Sequence, residues 1–571
     1  MYLNQRELQK FVSVARGDSE ADLVLANARV VNTCTAEIEM DNIAISDRWI
    51  VGLGDYQDAR EVIDLQGKYV IPGLINGHTH VESSLLDIGQ YAQAVVPHGT
   101  SAVITDLHEL SNVCGLAGMR YVLDKVRNLP LDLFLMVPSC VPATPLETAG
   151  AWISAEDVHT VLQWDGVIGL GEMMNFPGVL YGDREVSLKL ALGNRFLIDG
   201  HAPGLHGKDL NAYVGTGICS DHECTELEEA QEKIRCGMYV MIREGSSEKN
   251  LEALLPLVTS ETYPRCLFVV DDRSCSDLLR DGDIDAVVRK AIGLGMEPIR
   301  AIQLATINPA RYFHLDRFGA IAPGYFANLI IMDDLVKFNS EVVFYNGRMV
   351  AKDGQSISIE ETSYGDELRH TVNIGPFDRE RLNMSVPGDT FPVIEIVPGQ
   401  IVTKERRKRL HKKEGLVVAD IRDDILKLVV VERHNASGNI GLGLVKGFGL
   451  KRGAMASSVA HDSHNIVAVG ANDSDIVAAV RRIVELQGGL TIVAEGEVLA
   501  ELPLPIGGLL SDQPLETVVR EHEHLESVAA SLGCELASPF ATLSFVALPV
   551  IPELRLTDLG LVDVRSFKLV T

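Results

Sequence analysis

From about residue 70 to residue 270 the chain repeats one pattern: a short apolar run, then a polar stretch of helix length, then another run. The runs are Val70–Ile75, Thr100–Thr105, Leu131–Val137, Val167–Leu170, Phe196–Asp199, Gly217–Ser220, Met238–Ile242 and Cys266–Val270. Parallel neighbours in a sheet need a helix-length return, so the alternation predicts a parallel sheet with crossover helices. Eight such units over about 250 residues predict a (β/α)8 barrel, whose active site lies where the C-terminal ends of the strands open into loops.

Groups of metal-binding type recur at that end. His78 and His80 follow the first run, Asp106, His108 and Glu109 the second, and Glu172 the fourth. His201 follows the fifth, Asp221, His222 and Glu223 the sixth, and Asp271 and Asp272 the eighth. Any one has a plain structural explanation, such as an Asp capping the next helix, but six of eight strand ends exceed what capping accounts for. On a strand, residues two apart share a face, so His78 and His80 can turn toward one ion. A second His-x-His, His522 and His524, lies in a stretch with helical apolar spacing (Leu515, Val518, Val519, Leu525, Val528). There, neighbours two apart diverge by roughly 200°, and the pair reads as structural.

At 571 residues the chain exceeds one ordinary core, and two or three domains are expected. Its net charge of −28 disfavours nucleic acid and anionic membranes. The one basic run, 404–413, reads as a solvated surface segment. Nine scattered cysteines without a Cys-x-x-Cys pair, and charges where a signal peptide needs an apolar core, point to the cytoplasm. No run approaches the roughly 18 apolar residues of a membrane span.

Around the barrel, an N-terminal helix precedes short β-branched strands at Leu23–Val31, Ile43–Ser46, Ile50–Leu53 and Glu61–Asp64, and matching runs return at 319–332 and 342–350. The expected architecture is α/β: residues 1–69 give a helix and the first part of a small β-sandwich, 70–315 an inserted barrel, 316–365 the returning strands, and 366–571 a mixed α/β domain. In the last, the glycines of 438–449 fail the Gly-x-Gly-x-x-Gly pattern because Lys446 takes the third position, and they read as turns and close packing. His434, His461 and His464 stay open between structural, lid and separate metal roles.

These features resemble the amidohydrolase superfamily and, within it, the adenine deaminases. The resemblance runs through Pro72–Ser84, Pro138–Pro145, Gly171–Gly178, Asp199–Gly204, Ser220–Cys224 and Ala305–Arg311 and covers essentially the whole chain. It implies hydrolytic deamination of adenine to hypoxanthine and ammonia by a metal-bridged hydroxide. His78, His80, Glu172 and Asp271 would hold one metal, and Glu172, His201 and His222 the second, with Glu172 standing where many relatives carry a carboxylated lysine. Ser274 and Cys275 depart from the His-Pro that often follows Asp-Asp-Arg in relatives. The expected cofactors are two divalent ions, Mn2+ or Fe2+ with Zn2+ also fitting the donors. The expected partner is a small purine base, and the expected form a homo-oligomer.

Asp271, beside the hydroxide, can take its proton and pass it to the leaving amine, while a further acid protonates a ring nitrogen. Asp106, His108 and Glu109 are candidates for that acid. Glu82 and Glu223 are substrate-binding or supporting carboxylates. The same ligands would serve a relative acting on another purine or a cyclic amide. A catalytically silent barrel used for assembly would be expected to have lost ligands, and none is missing.

Overall fold

The computed structural model describes residues 4–357, 366 and 368–570. The eight barrel strands are β1 (Leu74–Asn76), β2 (Thr100–Thr105), β3 (Asp132–Val137), β4 (Val167–Met173), β5 (Leu197–Gly200), β6 (Ser220–Asp221), β7 (Tyr239–Arg243) and β8 (Cys266–Val269). β1 to β5 pair in sequence order as one parallel sheet and β6 to β8 as another. Backbone hydrogen bonding joins the two sheets: Cys219 N donates to Ile198 O at 2.9 Å, and Asp271 N to His78 O at 3.0 Å. Apolar residues fill the interior, among them Ile75, Ile104, Met136, Met241 and Leu267.

The run expected as one strand at Val70–Ile75 is divided at Gly73. Tyr69–Pro72 belongs to a neighbouring sheet and only Leu74–Asn76 to the barrel. A Cβ at Gly73 would collide with Ser101, so the crossing needs a residue without a side chain. That neighbouring sheet has nine strands and unites the segments before and after the barrel, with Tyr69–Pro72 hydrogen-bonded to Leu329–Met332. One core contains Leu25, Val30, Ile43, Ile331 and Phe344. On another face Val14 of helix Gln5–Ala15 packs with Val24, Ala44 and Trp49. The run at 342–350 is a hairpin, Val342–Tyr345 and Arg348–Lys352, turning through Asn346 and Gly347 at φ 50° and 75°. Asn-Gly favours this turn, which reading the stretch as one strand overlooked.

The boundary set at 365/366 falls beside residues outside those described. Beyond it, an eight-stranded mixed sheet has Ile425–Val431 and Ile466–Gly470 as central strands. Helix Asp473–Leu486 covers one face through Ile476, Val480 and Ile483. Leu428, Val430, Val467 and Val469 on the other face join a core that continues into Leu86, Leu110 and Val113 of the barrel. The alternation of side chains along a strand thus gives this sheet two dissimilar buried faces, one of them docked on the barrel. The basic run lies on an edge strand, Thr403–Arg409, where charge deters pairing with another edge. Gly441 packs against the backbone of Thr557, in keeping with the close-packing reading of its glycines. Among the described residues no helix is long and apolar enough to cross a membrane.

Candidate functional site

The C-terminal ends of the barrel strands bring together all the residues read from the sequence as metal-binding. His80 Nε2 lies 3.1 Å from Asp271 Oδ1 and 3.5 Å from Glu172 Oε1, and His78 Nε2 lies 3.7 Å from Asp271 Oδ1. Glu172 Oε2 lies 2.7 Å from His201 Nδ1 and 3.3 Å from His222 Nε2. The two oxygens of Glu172 therefore face different histidine sets. Candidate ligand groups form around His78, His222 and Asp271, and around Glu172, His201 and His222.

Local structure explains this placement. The seam between β8 and β1 is made by the backbones of the candidate ligands themselves, with Thr79 bridged to Asp271 and His80 N donating to Asp271 O at 3.3 Å. Asp271 takes the left-handed conformation, φ 60°, which is uncommon outside glycine and is concentrated at functional sites. His201 and His222 follow β5 and β6. Their loops are tied by fully buried Lys233, whose Nζ donates to Ala202 O at 2.7 Å and Asp221 Oδ2 at 3.0 Å.

The donors suit cations. His78 Nε2 is buried without a hydrogen-bond partner, an arrangement costly for a polar nitrogen unless something else binds it. Burial, reinforced by His222 and His80, pushes the His78 imidazole down to about 3, leaving the neutral form a metal requires. Burial opposes ionisation of Glu172, but His201 and His222 outweigh it and hold the carboxyl well below its usual range. The donors are imidazoles and carboxylates without thiolate, a set that accommodates manganese, iron or zinc.

Asp106, His108 and Glu109 form the adjoining wall. His108 Nδ1 pairs with Asp106 Oδ1 at 2.9 Å, and its Nε2 lies 3.4 Å from Glu109 Oε1. Glu82 accepts from Leu110 N at 3.1 Å through Oε1, while Oε2 is without a hydrogen bond. Burial pushes this carboxyl up to about 7. Glu223 faces His222 at 3.5 Å and pairs with Arg243, which fits the supporting role better than contact with substrate. Ser274, at the departure from the relatives' sequence, caps helix Cys275–Asp281 by accepting from Asp277 N.

Arg243 and Asp462 escaped the sequence reading, while His461 and His464, left open by it between structural, lid and metal roles, are brought to the site. Arg243 ends β7 and donates to Asp271 Oδ2 at 2.7 Å and Glu223 Oε2 at 3.0 Å. His461 and His464 come from the C-terminal domain and contact opposite oxygens of Glu109. Asp462 Oδ1 lies 3.9 Å from His108 Nε2. Of the open histidines, His434 hydrogen-bonds the Ser463 carbonyl and serves packing. His524 is exposed, and His522 lines a cavity of about 330 Å³ between the barrel and the C-terminal domain. Glu82, Glu109, Asp272, His461 and Phe545 line it too.

Comparison with known proteins agrees with this architecture. Residues 69–350 match the amidohydrolase family, and residues 400–568 match the adenine deaminase C-terminal domain. The chain is 59% identical to an adenine deaminase of Dehalococcoides mccartyi, over 99% of both chains. It is 46% identical to adenine deaminase 2 of Carboxydothermus hydrogenoformans, over 99% of both, and 45% identical to an adenine deaminase of Archaeoglobus fulgidus, over 99% of this chain and 98% of that one. With a metal-binding barrel and a characteristic C-terminal domain matched in one continuous chain, the protein belongs to the adenine deaminase family of amidohydrolases.

Proposed function

We propose that the chain hydrolyses adenine to hypoxanthine and ammonia at a two-metal centre. The supporting observation is the division of Glu172 between two histidine sets: Oε1 faces His80, and Oε2 faces His201 and His222. In this reading His78, His80, Glu172 and Asp271 hold one divalent cation and Glu172, His201 and His222 the other. Manganese or iron is the favoured metal. Such ions, when bound, can lower the pKa of a water to about 7 and so supply a nucleophile at neutral pH.

Asp271 points Oδ1 toward His78 and His80 while Arg243 holds Oδ2. A carboxylate fixed in this way can take the proton of the attacking water and deliver it to the departing amine. Protonation of the ring nitrogen falls to the wall of Asp106, His108 and Glu109. Both carboxylates face His108, which is the member of this trio with an N–H to give. Glu82 supports the substrate from the cavity wall, and Glu223 keeps Arg243 and His222 in place.

The protein would work in the cytoplasm as a homo-oligomer, which light scattering of the purified chain would test. For the reaction itself, ammonia release from a panel of free bases, nucleosides and cyclic amides is the direct assay. Adenine should be the preferred substrate by far, and an inert adenine with an active cyclic amide would replace this reading.

A further inference from the structure

We infer that the C-terminal domain supplies a substrate-binding residue, His461, which Glu109 of the barrel orients so that Nε2 meets a ring nitrogen of the purine. The inference rests on the adenine reading above and adds a role for a domain that the barrel chemistry leaves without one.

The geometry is that of a carboxylate–imidazole pair assembled across a domain interface. Glu109 begins the helix after β2, and His461 Nδ1 contacts its Oε1. His464 Nε2 contacts Oε2, while His464 Nδ1 accepts from Ala460 N at 3.1 Å. With Nδ1 accepting, the neutral ring of His464 carries its hydrogen on Nε2 and directs it at Glu109. Both oxygens of Glu109 thus face nitrogens of the C-terminal domain, with His108 Nε2 at 3.4 Å from Oε1 as a third neighbour. This carboxylate is an anchor, and the ring it anchors is His461.

Two further contacts fix that ring. Phe545 stacks on it with centroids 4.6 Å apart and ring planes 20° from parallel. The His461 backbone N donates to Ser544 Oγ at 3.0 Å, and Nδ1 is engaged by Glu109. Nε2 is left without a hydrogen bond to the described protein, on a ring that lines the cavity together with Glu82, Glu109 and Asp272. Asp272 clusters with His80 and Asp271, so the cavity borders the metal-binding end of the barrel. Burial opposes protonation of His461, but Glu109 outweighs it and moves the imidazole up to about 9, so at neutral pH Nε2 is a donor. A purine ring nitrogen is an acceptor, and a donor held rigid before binding gives more affinity than one that must be ordered. His464, by contrast, is almost fully buried, has both nitrogens engaged and serves as the second clamp on Glu109.

The two nitrogens can be tested separately, because an asparagine amide reaches the Nδ1 position and a glutamine amide the Nε2 position. His461→Asn retains a donor for Glu109 and loses the group that faces the cavity. With manganese-loaded enzyme, kcat/KM for adenine should fall about tenfold to a hundredfold, the worth of one hydrogen bond from a charged donor. Inhibition constants of 1-deaza-, 3-deaza- and 7-deazaadenine should identify the acceptor. Two should weaken in His461→Asn as adenine does, and the one that lacks the relevant nitrogen should bind wild type and variant alike. His461→Gln, which keeps the cavity-facing donor, should recover part of the loss. Equal weakening of all three analogues would mean a merely structural role, and unchanged kcat/KM in a folded His461→Asn would remove the role altogether. Wild-type protein that releases no ammonia from adenine would instead overturn the proposed function.

Discussion

Arg243 Nη1 donates to Asp271 Oδ2 at 2.7 Å, which leaves Oδ1 as the oxygen that faces His78 and His80. The arginine is buried and also pairs with Glu223. One guanidinium therefore fixes two carboxylates of the site.

Removing that guanidinium should be felt in the fold. Arg243→Gln leaves the buried carboxylate of Asp271 and the half-buried one of Glu223 without their counter-charge, a change that typically costs about 3–5 kcal/mol. Urea unfolding of the metal-free protein should show this loss. An unchanged midpoint would mean that solvent already compensates the pair.

Asp271→Asn preserves the shape and a ligating oxygen but removes the proton acceptor. Turnover of adenine should fall by about 100-fold or more, the usual contribution of acid–base catalysis, while the fold survives. A metal-replete variant with near-normal kcat would place the proton transfer elsewhere.

Glu172→Gln replaces two anionic oxygens by one carbonyl and an amide that ligates poorly. Metal content should drop below two ions per chain, and activity should fall with it. Elemental analysis of the folded variant separates this outcome from a capping role, which would cost roughly 1 kcal/mol and leave metal content untouched. Chelation of the wild type should abolish turnover, and manganese should restore it.

Substrate size gives a further check. With a net charge of −28 and no phosphate-binding loop identified in its sequence, the protein should turn over adenosine and AMP far more weakly than adenine. Comparable hypoxanthine and inosine formation in parallel assays would contradict a base-specific enzyme.

Glu147 provides a pH signature away from the metal ligands. It is 6% exposed, neither oxygen has a hydrogen-bond partner, and burial together with Asp462 and Asp558 moves its carboxyl well above 4.5. The folded state therefore keeps a proton that the unfolded chain gives up, and this group subtracts from stability as pH rises above 4.5. Glu147→Gln should gain thermal stability over wild type by an amount that grows between pH 5 and pH 8. Parallel melting curves with a constant difference would show that Glu147 does not titrate in this way.

The metal-type residues were legible because each directly follows an apolar run, and a barrel gathers strand ends at one rim. Glu172 needed only its position after Val167–Leu170 to be found. Arg243 also sits at a strand end, but it is cationic, so a search for ligand-type groups passed over β7. His461 and His464 were legible as a cluster open between structural, lid and metal roles. Their meeting with Glu109 depends on how one face of the C-terminal sheet docks on the barrel, which no local periodicity encodes. The division at Gly73 was hidden for a related reason: an apolar run shows that residues are buried, not which of two adjoining cores receives them.

The last seam of the barrel is formed by His78, Thr79, His80 and Asp271, the same short segments that present three of the candidate ligands. Closing the cylinder and shaping the cation site are therefore one event. A chain that has not brought β8 beside β1 offers its histidines no common focus, and an ion held there would act as a clasp on that joint. Metal uptake by this protein should accordingly be read as a late step of maturation, with amide exchange at the β1–β8 joint slowing when the ions enter.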